Sequence, residues 1–130
     1  MGVGTRITAL AAFACGLLAC GSVALAVAAG TKSVPTKVTI VPPNSNTSTL
    51  HGKVYSQSAS CWVRTIEVHQ IQGPAQNPTK DRVVATTTSH VGHGNGFWKL
   101  TSNPHPGRYY ARATKKPGCK PASSKLIHFQ

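Results

Sequence analysis

Acid is what this chain nearly lacks: Glu67 and Asp81 are its two carboxylate side chains, against 14 lysines and arginines in 130 residues. Two acids in separate segments exclude the positioned carboxylate pair that glycoside hydrolysis needs. No Gly-x-Ser-x-Gly elbow presents a nucleophile, and no Gly-x-x-x-x-Gly-Lys stretch cradles phosphate. The expectation is therefore no catalytic residue, no cofactor and no small-molecule substrate. Aromatics make up 6% of the chain, so a core must come mostly from Val, Ile, Leu and Ala. After residue 31 there is no long stretch of helical periodicity, and no internal repeat.

What the chain does have begins with an apolar leader. Arg6 supplies a positive start, residues 7–30 carry no charge, and Ala26-Val27-Ala28 is an A-x-A-like cleavage pattern. Residues 1–30 thus read as a signal peptide in an apolar helix, cut after Ala28 or Gly30. Two alternatives stay open. The uncharged run is long enough to remain as a membrane anchor. Leu17-Leu18-Ala19-Cys20 is similar to a bacterial lipobox, with Cys20 as the acylated residue. All three place residues 31–130 outside the cytoplasm, as a single domain.

The remaining segments read as strands. Residues 37–41 alternate, with Val38 and Ile40 inward. Residues 49–55 put Leu50, Gly52 and Val54 on one side, and His51, Lys53 and Tyr55 on a wetter one. A third strand opens at Cys61 and runs through Arg64, Ile66 and Val68, with Glu67 and His69 pointing away. Residues 72–80, with Gly73-Pro74 and Asn77-Pro78, are a loop, and residues 82–88 form a Val/Thr strand without a decisive phase. The stretch 89–96 is the most flexible, with Asn95-Gly96 its turn signal. Two glycine-opened segments then set Trp98, Leu100, Tyr109, Ala111 and Ala113 to one side and Lys99, Arg108 and Arg112 to the other, the pattern of a half-buried hairpin. Residues 124–129 are the last strand. The result is an all-β, seven-stranded antiparallel sandwich of immunoglobulin-like kind.

Cys15 and Cys20 fall in the leader, which leaves Cys61 and Cys119. Two cysteines of a small exported domain pair, and neither has a second cysteine at zinc-finger spacing. Arg6 is the leader's one cation, so 13 lysines and arginines remain against two acids, a net charge of +11 with neutral histidines. Such a surface attracts polyanions: envelope polymers, anionic lipid or nucleic acid. Arg108 and Arg112 flank Tyr110 on the outward side of a strand, and an exposed tyrosine between arginines suits charge plus stacking. Lys115, Lys116, Lys120 and Lys125 surround Cys119. The plainer reading of these cations is a solvated strand face that guards an edge. His90 and His93 are the pair to consider for Zn²⁺ or Cu²⁺, although two ligands make no site unless others converge. Asn46-Thr47-Ser48 fits a glycosylation sequon.

Leu50-x-Gly52-x-Val54, Cys61-x-x-Arg64-x-Ile66-x-Val68, Gly96-x-Trp98, Gly107-x-Tyr109-x-Ala111 and Cys119-x-x-Ala122-x-Ser124, in that order, resemble a group of small exported actinobacterial proteins. Those are similar in turn to carboxypeptidase regulatory-like, or prealbumin-like, β-sandwich domains. The resemblance covers nearly all of residues 36–129. It implies an accessory or surface module without an active site, in which Trp98 and Tyr109 are core residues. One departure is the longer segment 90–95 before Gly96. The expected function is a non-enzymatic exported module at the envelope or in the medium, with a basic surface for anionic polymers. The alternatives are a cationic effector acting on membranes or nucleic acid, and a metal-binding protein using the His90–His93 loop.

Overall fold

The computed structural model describes residues 32–130. The expected signal helix and its cleavage pattern, Cys15 and the acylation candidate Cys20 lie outside the described residues.

Nine strands form, two more than the turn signals predict: β1 (Thr36–Val38), β2 (His51–Ser56), β3 (Thr65–Gln70), β4 (Arg82–Thr88), β5 (His90–Val91), β6 (Gly96–Lys99), β7 (Gly107–Ala113), β8 (Ala122–Ser123) and β9 (Ile127–Phe129). They build two antiparallel sheets, one in the order β1-β2-β6-β5, the other in the order β4-β3-β7-β8 with β9 also on β7. Val38, Ile40, Leu50, Val54, Trp98 and Leu100 from the first side meet Ile66, Val68, Tyr109, Ala111 and Ala113 from the second in one buried core.

The inward residues are those that the alternation selects, but the hairpin is not there. β6 pairs with β2 and β5, whereas β7 pairs with β3, β8 and β9. Trp98 and Tyr109 therefore face each other's layer across the core instead of sharing a sheet. Alternation reports which face is buried, and two opposed strands satisfy it as well as two paired ones.

The two extra strands also have local causes. The segment expected to be most flexible contains β5, which returns along β6 through a turn closed by Gly92 N–H to the Asn95 carbonyl at 2.7 Å. Gly94, at φ 75°, supplies the left-handed residue of that turn, so the Asn95-Gly96 pair is not its centre. The expected last strand, residues 124–129, shortens to β9, and β8 forms just before it, ending ahead of Ser124. The Ser124 hydroxyl accepts from Ala111 N–H at 2.8 Å, where a neighbouring backbone carbonyl would otherwise sit. Cys61 does not open β3. It ends a 3₁₀ turn (Ala59–Cys61), and the strand begins at Thr65.

Three devices lock one end of the sandwich. Cys61 and Cys119 are disulfide-bonded, as their isolation in the sequence predicts. Arg64, buried, donates from Nη1 to Thr36 Oγ1 at 2.9 Å, and from Nη2 to the Lys120 carbonyl at 3.0 Å and the Thr114 carbonyl, so it touches both sheets. Ser89, at the crossing from β4 to β5, accepts from Arg64 N–H at 2.8 Å and donates to the Trp62 carbonyl at 2.6 Å.

Close backbone approach explains two glycines. A Cβ on Gly52 would lie 1.9 Å from the Thr39 carbonyl oxygen, and one on Gly96 would lie 2.1 Å from that of Trp62. Gly52→Ala is expected to lower the urea midpoint strongly, while Gly73→Ala, which meets nothing within 4 Å, leaves it nearly unchanged. Replacing Cys61 and Cys119 by alanine, which opens a crosslink spanning 58 residues, is expected to cost about 4 kcal/mol by denaturant titration.

Candidate functional site

β3 and β7 turn Glu67, His69, Arg108, Tyr110 and Arg112 to the outer face of the five-stranded sheet, with His69 opposite Tyr110 and Glu67 opposite Arg112. In an open sheet these side chains would all meet water. Here the segment 72–81 folds back over the middle of the face. Asp81 is the residue that shapes it. Its Oδ1 accepts from Gln72 N–H at 2.9 Å, and its Oδ2 accepts from Asn77 N–H at 2.6 Å and from the Tyr110 hydroxyl at 2.8 Å. The Gln76 amide also donates to the Ser124 carbonyl at 2.9 Å, and an Arg108 Nη donates to that of Gly73 at 3.2 Å.

Tyr110 is consequently 0% exposed, and the expectation of an exposed tyrosine between two arginines is corrected. Its ring stacks on that of His69, with centroids 5.0 Å apart and planes 13° from parallel. His69, 1% exposed, donates from Nε2 to Glu67 Oε2 at 3.0 Å, which leaves its Nδ1 without a partner. Both of the chain's acids thus sit at the ends of one run, Glu67–His69–Tyr110–Asp81. Among the described residues, the His69–Glu67 contact is the one between an acidic and a basic side chain.

The electrostatics follow from these contacts. Asn77 N–H, then Gln72 N–H and the Tyr110 hydroxyl, hold the Asp81 carboxyl below its ordinary range, although burial pulls the other way. Burial, the bond to Asp81 and that residue's charge push the Tyr110 phenol well up, so it stays neutral and remains a donor. Burial also raises Tyr109, whose hydroxyl donates to the His105 carbonyl. It lowers Arg64, which has neutral acceptors and no carboxylate beside it.

The other sequence candidates are dispersed. Arg108 is exposed, and Arg112, half-buried, donates to Ser123 Oγ at 3.2 Å. Lys115, Lys116 and Lys120 sit on the turn closed by Cys119 N–H to the Lys116 carbonyl at 2.9 Å. Lys115 and Lys120 are exposed there, while the Lys116 ammonium donates to the carbonyls of Ser60 at 2.7 Å and Val63 at 3.1 Å. Lys125 is exposed in the link between β8 and β9. His90 lies on β5 and His93 in the turn beyond it, both exposed. Among the described residues no three His, Cys, Asp or Glu side chains gather to hold a metal ion.

The clearest concavity went unnoticed in the sequence. It is a groove of about 710 Å³ lined by the 46–49 loop, the end of β4, and residues of β5 and β6 that include His90, Phe97 and Lys99. The Asn46-Thr47-Ser48 sequon and His90 fall in its lining, but nothing in the sequence joins them to Phe97 and Lys99, because the lining comes from four segments that only the fold assembles.

No protein-family model, curated protein or solved structure matches this chain.

Asp81 sets a pH dependence. A carboxyl with a depressed folded pKa contributes stability that is complete above its unfolded value, about 3.9, and is lost as pH falls through the folded value. Urea midpoints of the parent protein are expected to drop between about pH 5 and pH 2, and Asp81→Asn to flatten part of that drop. Tyr110→Phe is expected to destabilise by roughly 1–2 kcal/mol at neutral pH, the loss of one buried donor.

Proposed function

We propose that residues 31–130 are an exported, non-enzymatic β-sandwich module at the cell envelope or in the medium, and that its basic surface binds anionic polymers. The observation that carries this reading is the placement of charge. Of the 13 lysines and arginines in residues 32–130, Arg64 alone is buried. Asp81 is enclosed by three internal donors, and Glu67 is engaged by His69. The accessible surface is therefore almost entirely of one sign, which raises the local concentration of any polyanion. With Tyr110 covered, the attraction comes from charge without aromatic stacking there. Lys32, Lys37, Lys53, Lys80, Arg82, Lys99, Arg108, Lys115, Lys120 and Lys125 are exposed, and Arg112 and Lys116 are half-buried.

Export is supported by the leader and by the Cys61–Cys119 disulfide, a bond that persists in oxidising compartments. The absence of enzymatic activity is supported by the engagement of both carboxylates in internal contacts. Kinship with prealbumin-like, carboxypeptidase regulatory-like domains is supported by two facing antiparallel sheets with Trp98 and Tyr109 in their core. The cationic-effector alternative calls for an amphipathic helix, whereas the described residues hold strands and a 3₁₀ turn.

Retention on immobilised polyphosphate tests the charge reading. Affinity is expected to fall by roughly tenfold or more between about 50 and 200 mM salt, as counterion release requires, and to fall further in a Lys115→Gln/Lys120→Gln variant. Binding that ignores salt, or no binding at low salt, would contradict it.

A further inference from the structure

The groove beside β6 exists because β5 is short. β5 covers one edge of β6 only at Gly96 and Phe97, so on that side the stretch at Lys99 has no strand, while β2 pairs with its other edge. The end of β4 approaches there instead, and Thr87 Oγ1 donates to the Lys99 carbonyl at 3.2 Å. The 46–49 loop forms the opposite wall, and Asn44 Oδ1 holds that loop by accepting from Asn46 N–H and Thr47 N–H, both at 2.9 Å.

The volume, about 710 Å³, is that of a ligand site, and the lining has a definite chemistry. Phe97 presents a half-buried ring, with His51 on one flank at 6.3 Å between centroids and His90 opposite it on β5. Around it stand the hydroxyls of Thr47, Thr87 and Thr88. Lys99 is the one lysine or arginine in the lining, and no acid is present. An apolar ligand would strand those hydroxyls. A nucleic acid strand would need several cations tracking its backbone, and the lining holds one. A sugar ring matches each part: a flat C–H face for the phenyl ring, hydroxyls at its rim for the threonines, and an acidic substituent for the ammonium.

We propose that this groove binds an acidic oligosaccharide, with Phe97 as the stacking platform, Thr47, Thr87 and Thr88 as hydrogen-bonding partners, and Lys99 as the partner of the carboxylate or other acidic group. The inference rests on the reading of the protein as a binder of anionic polymers and narrows it to polymers built of sugars.

The test is a two-dimensional ¹⁵N–¹H NMR titration of the full chain at about 0.15 M salt with three probes. Hexagalacturonate is an acidic sugar, cellohexaose a neutral one, and polyphosphate an anion without sugar. Hexagalacturonate is expected to give saturable shifts at Thr87, Thr88, Phe97 and Lys99, and cellohexaose weaker shifts at the same amides. Phe97→Ala is expected to weaken hexagalacturonate about tenfold, the loss of an aromatic anchor. Lys99→Gln is expected to weaken hexagalacturonate severalfold and leave cellohexaose unchanged. Thr87→Val, which keeps the side chain's shape, guards against a misfolded Phe97 variant and is expected to weaken both sugars. The proposal is overturned if neither sugar shifts these amides up to about 10 mM, if the shifts survive both Phe97→Ala and Thr87→Val, or if polyphosphate occupies the groove as tightly as hexagalacturonate. Groove shifts with the sugars but no polyphosphate binding anywhere, even when the salt is lowered to about 50 mM, would sink the charge reading and leave the groove assignment standing.

Discussion

The Asp81 carboxylate, closed in by Gln72 N–H, Asn77 N–H and the Tyr110 hydroxyl, is the constraint on which the outer face of the larger sheet depends. A carboxylate removed from water is costly unless its lone pairs are filled. The 72–81 segment fills them with its own backbone and thereby becomes a roof. Under that roof His69 and Tyr110 stack, and Glu67 is drawn to His69. Arg64 presents the mirror case at the end of the sandwich. It is a buried cation served by a threonine hydroxyl and two carbonyls. In both places dipoles do what an opposite charge does elsewhere, as a chain with two acids requires. The surface is left to the remaining cations.

Much of the fold was legible in the order of residues. Val38, Leu50, Val54, Ile66, Val68, Trp98, Tyr109, Ala111 and Ala113 all lie where period-two alternation puts them, and Cys61 and Cys119, the two cysteines among the described residues, pair as expected. Arg64 also shares the phase of Ile66 and Val68, and that placement signals burial for a residue type which is usually solvated. What could not be read was which strand pairs with which. The seven residues 100–106 between β6 and β7 suffice to carry the chain from one sheet to the other, and the buried pattern on either side of them is the same in both topologies.

The candidate sites divide along the same line. Exposed lysines are readable from the sequence, because charge keeps them at the surface. The fate of Tyr110 was not, because it depends on a loop thirty residues earlier in the chain folding over it. A signal was nonetheless present: one aspartate at the end of a loop punctuated by Gly73-Pro74 and Asn77-Pro78 is well placed to collect backbone N–H groups. The groove at Phe97 left no comparable trace. It arises from a strand two residues long and from the distance β4 travels before crossing at Ser89. Diffuse positive charge and a hydroxyl-lined groove are independent features of the surface, and together they suit a polymer that is both anionic and built of sugars.

The central claim is that the few acids serve internal contacts, with Asp81 buried and Glu67 half-buried. A ¹³C NMR titration of the carboxyl carbons tests it most directly. The account predicts an Asp81 midpoint below the ordinary aspartate value of about 3.9, little moved by salt because short hydrogen bonds set it. An Asp81 midpoint at the ordinary value that shifts with ionic strength would mean a carboxylate open to solvent, and would contradict the account.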